Sequence, residues 1–310
     1  MSEGSKEGSM DQRTDRKISK PLKIAILLAV FIALSAAVFL LVRNHSSGPA
    51  SQFVPNGDTL VITNLDVGKA DAAIVCYNHS TGMVDTGLEE DYELIDKWLS
   101  DNGKTSIDYM ILTHFDKDHI GSAVKILQKY PVEYVYYPDY VSTKKYYGPL
   151  MEELGKQTEG RTAVAVADPM SFTIDDLEVE LFPADDPQEI ISQGNKIDNN
   201  MSLMCRLSFG TRKFLFTGDI EKERLYQLIQ DRTDHSADWM TFPHHGAYDK
   251  YEKDFLKKVA PEYGIISTGE DHLPDDSLIR YLDKKKIRYL ITYNGNITTT
   301  CDGRDVIMEQ

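Results

Sequence analysis

Cysteine is scarce in this chain: three in 310 residues, Cys76, Cys205 and Cys301. They lie far apart and fit neither a zinc-finger nor a redox spacing, which excludes a disulfide framework and a thiolate-bound structural zinc. Cys76 and Cys205 each sit in an apolar, strand-like run and read as buried thiols. Positive charge is also in short supply, with 34 Lys and Arg against 49 Asp and Glu, a net of −15. Seven of the basic and four of the acidic residues fall in the first 52, so the remainder holds 27 and 45 and carries −18. Such a domain does not attract nucleic acid by bulk charge. Any phosphate affinity must come from a local source, such as bound cations. No internal repeat is present.

Long apolar runs are nearly absent as well. The exception is "IAILLAVFIALSAAVFLLV", residues 24–42, uncharged for nineteen residues. At about 1.5 Å per residue it spans a hydrocarbon core of roughly 30 Å. It exceeds the apolar region of a cleaved signal peptide, usually about 7–15 residues. Arg13, Arg16, Lys17, Lys20 and Lys23 precede it, and Arg43 alone follows closely. The positive-inside bias predicts a cytoplasmic tail at 1–23, a transmembrane anchor at 24–42, a Ser/Gly/Pro linker at 43–58 and an extracellular globular part at 59–310.

Within 59–310, strand-like runs come first: "TLVITNLDV", "DAAIVCYN" and "GMVDTG". A helical pattern follows at 89–101, with Leu94, Ile95, Trp98 and Leu99 on one face. "IDYMILTH" reads as a buried strand, "IGSAVKILQKY" as a helix and "VEYVYYP" as a strand. A β-rich stretch runs to "FLFTGD", and the last third alternates helix and strand, ending at "RYLIT". β-blocks flanking an alternating pattern predict an α/β fold of two sheets with helices outside, an αββα sandwich.

The chemistry concentrates in "YMILTHFDKDHIG", residues 109–121. Ligands gather at the carboxyl ends of such strands, and His114 stands there. Asp116, Asp118 and His119 follow within five residues. In extended chain His114 and Asp116 point the same way, while Asp118 and His119 lie past the bend. Imidazole with carboxylate suits zinc, manganese or iron better than calcium. Asp118 alone would also serve as a helix cap. Two further strands end in Gly218-Asp219 and in His244-His245-Gly246, repeating the same logic.

These islands, with "LDVGKADAAIV", "MVDTG", "NNMSL" and "IISTGE", make the chain resemble the metallo-β-lactamase fold superfamily. Within it, the likeness is to the hydrolase domain of ComEC/Rec2-type competence proteins, over about 59–303. The usual HxHxDH motif is similar to the His-x-Asp-x-Asp-His here, with Asp116 in the middle position. Three departures stand out. "NNMS" occupies the region where a further histidine is expected, Ala247 replaces the serine of HHGS, and "STGEDHLP" shortens the pattern around His272. The resemblance implies two divalent metal ions, zinc or manganese. His114 and Asp116 would bind one. Asp118 and His119, with His244 or His245, would bind the other, and Asp219 would bridge.

The implied activity is phosphodiester hydrolysis by a metal-activated hydroxide, in which Asp118 takes part, and His272 is a candidate general acid or simply a loop histidine. Asp85 would orient ligands. Asp66 and Asp71 match the "DVGxxD" signature, which turn geometry explains as well as chemistry does. Asn199, Asn200 and Ser202 are candidates to hold a phosphate oxygen, or to cap a strand. The tyrosine-rich "YVYYPDYVSTKKYYGP" has the rings to stack bases or cage a quaternary ammonium, but reads first as half-buried strand tyrosines and a wet loop. The expected substrate is a phosphodiester, DNA first. A small ester such as a phosphocholine ester is the alternative, and a non-catalytic metal-binding surface protein a third reading. Membrane contact would come through the N-terminal helix, and no protein partner is indicated.

Overall fold

A computed structural model describes residues 59–156, 159–194 and 196–310. Its first sheet comprises β1 (Leu60–Asn64), β2 (Ala73–Tyr77), β3 (Ser80–Val84), β4 (Ile107–Ile111), β5 (Val132–Pro138) and β6 (Thr162–Val166) as neighbours in that order. The second runs in order through β7 (Met170–Ile174), β8 (Leu177–Phe182), β9 (Met204–Phe209), β10 (Arg212–Phe216), β11 (Trp239–Thr241), β12 (Tyr263–Ile266) and β13 (Arg288–Ile291). A last hairpin, β14 (Ile297–Cys301) and β15 (Val306–Glu309), returns to the first sheet beside β1, pairing Leu60 with Cys301. β3 to β6 are parallel, and so are β10 to β13. Each sheet therefore offers a row of carboxyl ends.

The helices are α1 (Tyr92–Asp101), α2 (Lys117–Ile120), α3 (Ala123–Lys129), α4 (Tyr147–Gly155), α5 (Pro187–Gln193), α6 (Ile197–Asn200), α7 (Lys222–Gln230), α8 (Glu252–Val259) and α9 (Asp276–Lys285). Strand alternation sorts the side chains into layers. Met110 and Leu112 pack outward with Ile95 and Leu99 of α1 and Ile126 of α3. Leu215, Met240 and Ile266 do the same under α7, α8 and α9, against Leu225, Phe255 and Leu278. Each such side chain contributes about 1.5–3 kcal/mol when fully buried. Between the sheets, Tyr77 meets Phe209 at 4.9 Å, and Trp239 Nε1 donates to Thr299 Oγ1 at 3.1 Å. The architecture is the expected α/β pair of sheets with helices outside. All three cysteines are free.

Four details differ from the sequence reading. Leu94, expected on the buried face of α1, is 39% exposed. The single helix expected at 120–130 is split at Gly121-Ser122. The chain at Leu88-Glu89 crosses there so closely that a Cβ at 121 would lie 2.4 Å from the Glu89 nitrogen. The end of the tyrosine-rich loop is helical, as α4, and the hairpin β14–β15 extends the first sheet. The expected anchor at 24–42, its tail and its linker lie outside the described residues. Among the described residues no helix is long and apolar enough to cross a membrane.

Candidate metal centre

Most of the strong donors come from just past a strand end, and Asp118 and His119 come from the short helix α2 behind β4. Asp85 follows β3, His114 follows β4, Asp219 follows β10, and His244-His245 follow β11. The backbone turns sharply at these points. Asp85, His244 and His245 have φ of 59°, 47° and 57°, in the left-handed region. Such conformations cost about 1–3 kcal/mol each in residues other than glycine and gather at functional sites. The adjacent Gly246 has φ 83°, and a Cβ there would lie 2.7 Å from Pro274 Cβ.

Asp219 is the hub. Four imidazoles surround its carboxylate: His119 Nε2 at 3.3 Å, His245 Nε2 at 3.5 Å, and His114 and His244 Nε2 at 3.9 Å each. In all four rings the other nitrogen is already engaged. His245 Nδ1 donates to the Ser267 carbonyl at 2.9 Å. His119 Nδ1 donates to Asp85 Oδ2 at 2.8 Å, and His244 Nδ1 pairs with Glu221 Oε1 at 3.1 Å. His114 Nδ1 lies 3.1 Å from Thr113 Oγ1, whose own proton goes to Asp85 Oδ2 at 2.7 Å. His114 Nδ1 must therefore donate as well. This proton inventory leaves a lone pair on each neutral Nε2. His114, His119 and His245 Nε2 and Asp219 Oδ1 are buried without a hydrogen-bond partner. Imidazoles fixed through one nitrogen and bare at the other are the arrangement metal ligation requires.

The local field favours positive charge. Burial works against a charged His119, yet Asp219 and Asp85 together raise its pKa well above the usual range. His245 is raised too, by Asp219, Asp118 and Asp71 against burial. Burial dominates at His114 and His244 and lowers both. Asp219 opposes its own burial through His245 and His119 and is held well below the carboxylate range. Burial opposes ionisation of Asp118 too, but the His245 ring, with Nε2 3.5 Å away, and the His119 ring together hold its pKa below the usual carboxylate range. Asp85 is raised by burial.

The structure thus gathers His114, Asp118, His119, Asp219, His244 and His245, and sets Asp85 behind His119. Asp71 joins them. One ligand atom each from Asp71, His119, Asp219 and His245 lies within 4.8 Å of the others. Asp71 Oδ2 nevertheless approaches the Nδ1 side of His119 and His245, at 3.8 and 3.9 Å, so it positions those rings from behind. Asp116 goes elsewhere: both its oxygens pair with Lys144 Nζ, at 2.6 and 2.8 Å. Lys144 comes from the tyrosine-rich loop, which Asp198 holds by accepting from Tyr140 and Ser142.

Asn199 and Asn200 act in the scaffold. Asn199 Nδ2 donates to Glu221, and Asn200 Oδ1 accepts from the Glu221 and Arg224 backbone at the start of α7. Ser202 Oγ accepts from the Asp219 N–H at 3.2 Å. The backbone N–H of Asp66 donates to Asn296, and its carboxylate enters none of the contacts around Asp219. His272 lines a cavity of about 150 Å³ together with Lys69, His244 and His245. Sequence reasoning missed Lys69, Lys144, Thr113 and Glu221. Only Glu221 carried a signal, two residues beyond Asp219.

Residues 65–270 match the family described as the Metallo-beta-lactamase superfamily. The chain is 27% identical over 259 residues to ComE operon protein 3 of Bacillus subtilis, covering 75% of this chain and 32% of that protein. It is 26% identical over 263 residues to Recombination protein 2 of Haemophilus influenzae, covering 81% of this chain and 29% of that protein. It therefore spans about a third of the length of these curated relatives. Among solved structures, a mutant of CmlA beta-hydroxylase is similar in fold, with a TM-score of 0.51 and 14% identity over 79% of this chain and 54% of that one.

Proposed function

The chain belongs to the metallo-β-lactamase superfamily, and from that premise we propose that it is a metal-dependent phosphodiesterase acting on DNA, with two divalent ions, zinc or manganese, as cofactor. One observation carries the reading: four imidazoles, each held through Nδ1, turn Nε2 toward the single carboxylate of Asp219. This nitrogen-rich set with carboxylates fits those metals. Asp118, His119 and His245 would hold one ion, His114 and His244 the other, and Asp219 both. Asp116 would complete the His114 set by exchanging the Lys144 ammonium for the divalent ion, one cation for another of higher charge. Bound there, the ions supply the Lewis acidity that activates water and polarises a phosphoryl oxygen.

The chain's own residues orient and neutralise. Lys69 stands in the cavity beside His244 and His245 and offers an ammonium to a phosphate oxygen. Lys144, once released, offers a second. His272, in the same cavity, donates the proton to the departing alkoxide. Local cations thus meet phosphate where the −18 of residues 53–310 would repel it. The curated relatives are of the ComEC/Rec2 type, and one carries recombination in its name, which supports a DNA substrate. The proposal includes placement: residues 24–42 anchor the chain in the cell membrane, with the N-terminus cytoplasmic and the hydrolase outside.

The test is an assay of the full chain in maltoside micelles, loaded with manganese or zinc, on single-stranded DNA and on a p-nitrophenyl phosphodiester. Cleavage of both, lost on chelation, is expected. Cleavage of neither contradicts the reading. Cleavage of the small ester alone moves the substrate to a small phosphodiester such as a phosphocholine ester.

A further inference from the structure

A second cleft opens at the other end of the same strands. It is lined from β3–β5 of the first sheet and from the edge strand β7 of the second, with a volume of about 720 Å³. Tyr109 on β4 lines it, five residues before His114, so the two sites are roughly 15 Å apart at strand spacing. Nothing in the metal chemistry uses it.

Its walls are aromatic. Tyr134 and Tyr136 stand with their planes 13° apart, and Phe172 lies 4.8 Å from Tyr136 at 10°. Tyr109 closes the floor, 70° to Phe172. Tyr136 and Phe172 stack on one another and cover each other's facing sides, with Tyr109 edge-on to Phe172. Tyr134 is 39% exposed, so its face is open. Three carboxylates line it, Asp108, Glu133 and Asp175, together with His79, and neither Lys nor Arg is among the lining residues. Aromatic faces and carboxylates together select cations.

Two polar atoms lack partners. Tyr109 Oη and Ser80 Oγ are buried without a hydrogen bond, and both residues line the cleft. Tyr109 is 2% exposed, and its ring lies across Gly82 so closely that a Cβ there would overlap it at 2.0 Å. A buried hydroxyl left without a partner is destabilising, and a ligand that supplies one removes that penalty. Two of the three carboxylates already accept from the protein, Asp108 from the Thr81 N–H and Asp175 from Asn78. They act by charge more than by directed bonds. This disfavours a guanidinium, whose fork needs free paired acceptors.

We propose that this cleft is a binding site for a hydroxyl-bearing quaternary ammonium: the aromatic walls and acidic rim hold the cation, and the ligand's hydroxyl meets Tyr109 and Ser80. The site is separate from the metal centre and does not depend on the proposed phosphodiesterase activity.

The test is calorimetric titration of the full chain in maltoside micelles with choline, tetramethylammonium and guanidinium. Saturable binding at one site is expected, with choline tighter than tetramethylammonium and guanidinium weakest. Tyr134→Ala and Glu133→Lys, both at exposed positions and checked for unchanged circular dichroism, should each weaken choline by about tenfold or more. Asp219→Ala should leave it unchanged. Absence of saturable binding overturns the proposal. So does binding indifferent to Glu133→Lys, binding lost in Asp219→Ala, or guanidinium binding more tightly than choline.

Discussion

Glu252 enters the first turn of α8 with both carboxylate oxygens buried and without a hydrogen-bond partner. Burial, with a smaller push from Asp249, raises its pKa well above the usual value. A raised carboxyl pKa means the folded state prefers the proton. Stability from it is fully present below the unfolded value, about 4.3, and is lost as pH rises toward the folded pKa. Glu252→Met should therefore stabilise the protein at neutral pH by about 1–3 kcal/mol, and by less at pH 4. Thermal melts at the two pH values check it, and an equal shift at both contradicts the titration. Asp71 differs in kind. Its carboxylate backs His119 and His245 rather than facing Asp219. Asp71→Ala should weaken metal binding by about 10–100-fold and leave the fold intact. Titration with a competing chelator reads this, and unchanged affinity would return Asp71 to a turn residue.

At the scale of elements, the strand ends decide the site. The turn after β11 carries two successive histidines in left-handed conformation, closed by Gly246. Gly246→Ala would press a methyl to 2.9 Å from Ile266 Cγ2 and 2.7 Å from Pro274 Cβ. The expected loss is about 2–5 kcal/mol from strain and overpacking, with metal binding weakened because both imidazoles shift. A melting point equal to wild type would show that the turn tolerates the change. The same elements explain what the sequence disclosed. β4 was legible because its apolar run ends abruptly in "THFDKDH". Asp219 and His244-His245 were legible because each ends an apolar run in the same way. Lys144 was not, since its place depends on Asp198 gripping Tyr140 and Ser142 across 56 residues or more. Which of His244 and His245 faces the hub depends on the geometry of the turn. The left-handed turn aims both, which alternation along an extended chain does not anticipate. The hairpin β14–β15 escaped because "ITTTC" sets three consecutive threonines between two apolar residues and so lacks the strand alternation, and its pairing with β1 spans the whole domain.

For the whole molecule, charge and placement are the testable quantities. A domain carrying −18 with a few local cations should bind DNA through few phosphates. On duplex DNA each neutralised phosphate adds close to 0.9 to the slope of log K against log salt. A slope worth about one to three contacts is expected. A steep slope would reveal a basic track. Protease added to intact cells should remove the part beyond residue 52, and protection until lysis would reverse the proposed orientation. The central claim is that Asp219 joins two ions among four imidazoles. Elemental analysis of the purified full chain beside its Asp219→Ala variant tests it most directly. The expected result is about two equivalents of zinc or manganese in the wild type and close to none in the variant. A variant that keeps both ions would contradict it.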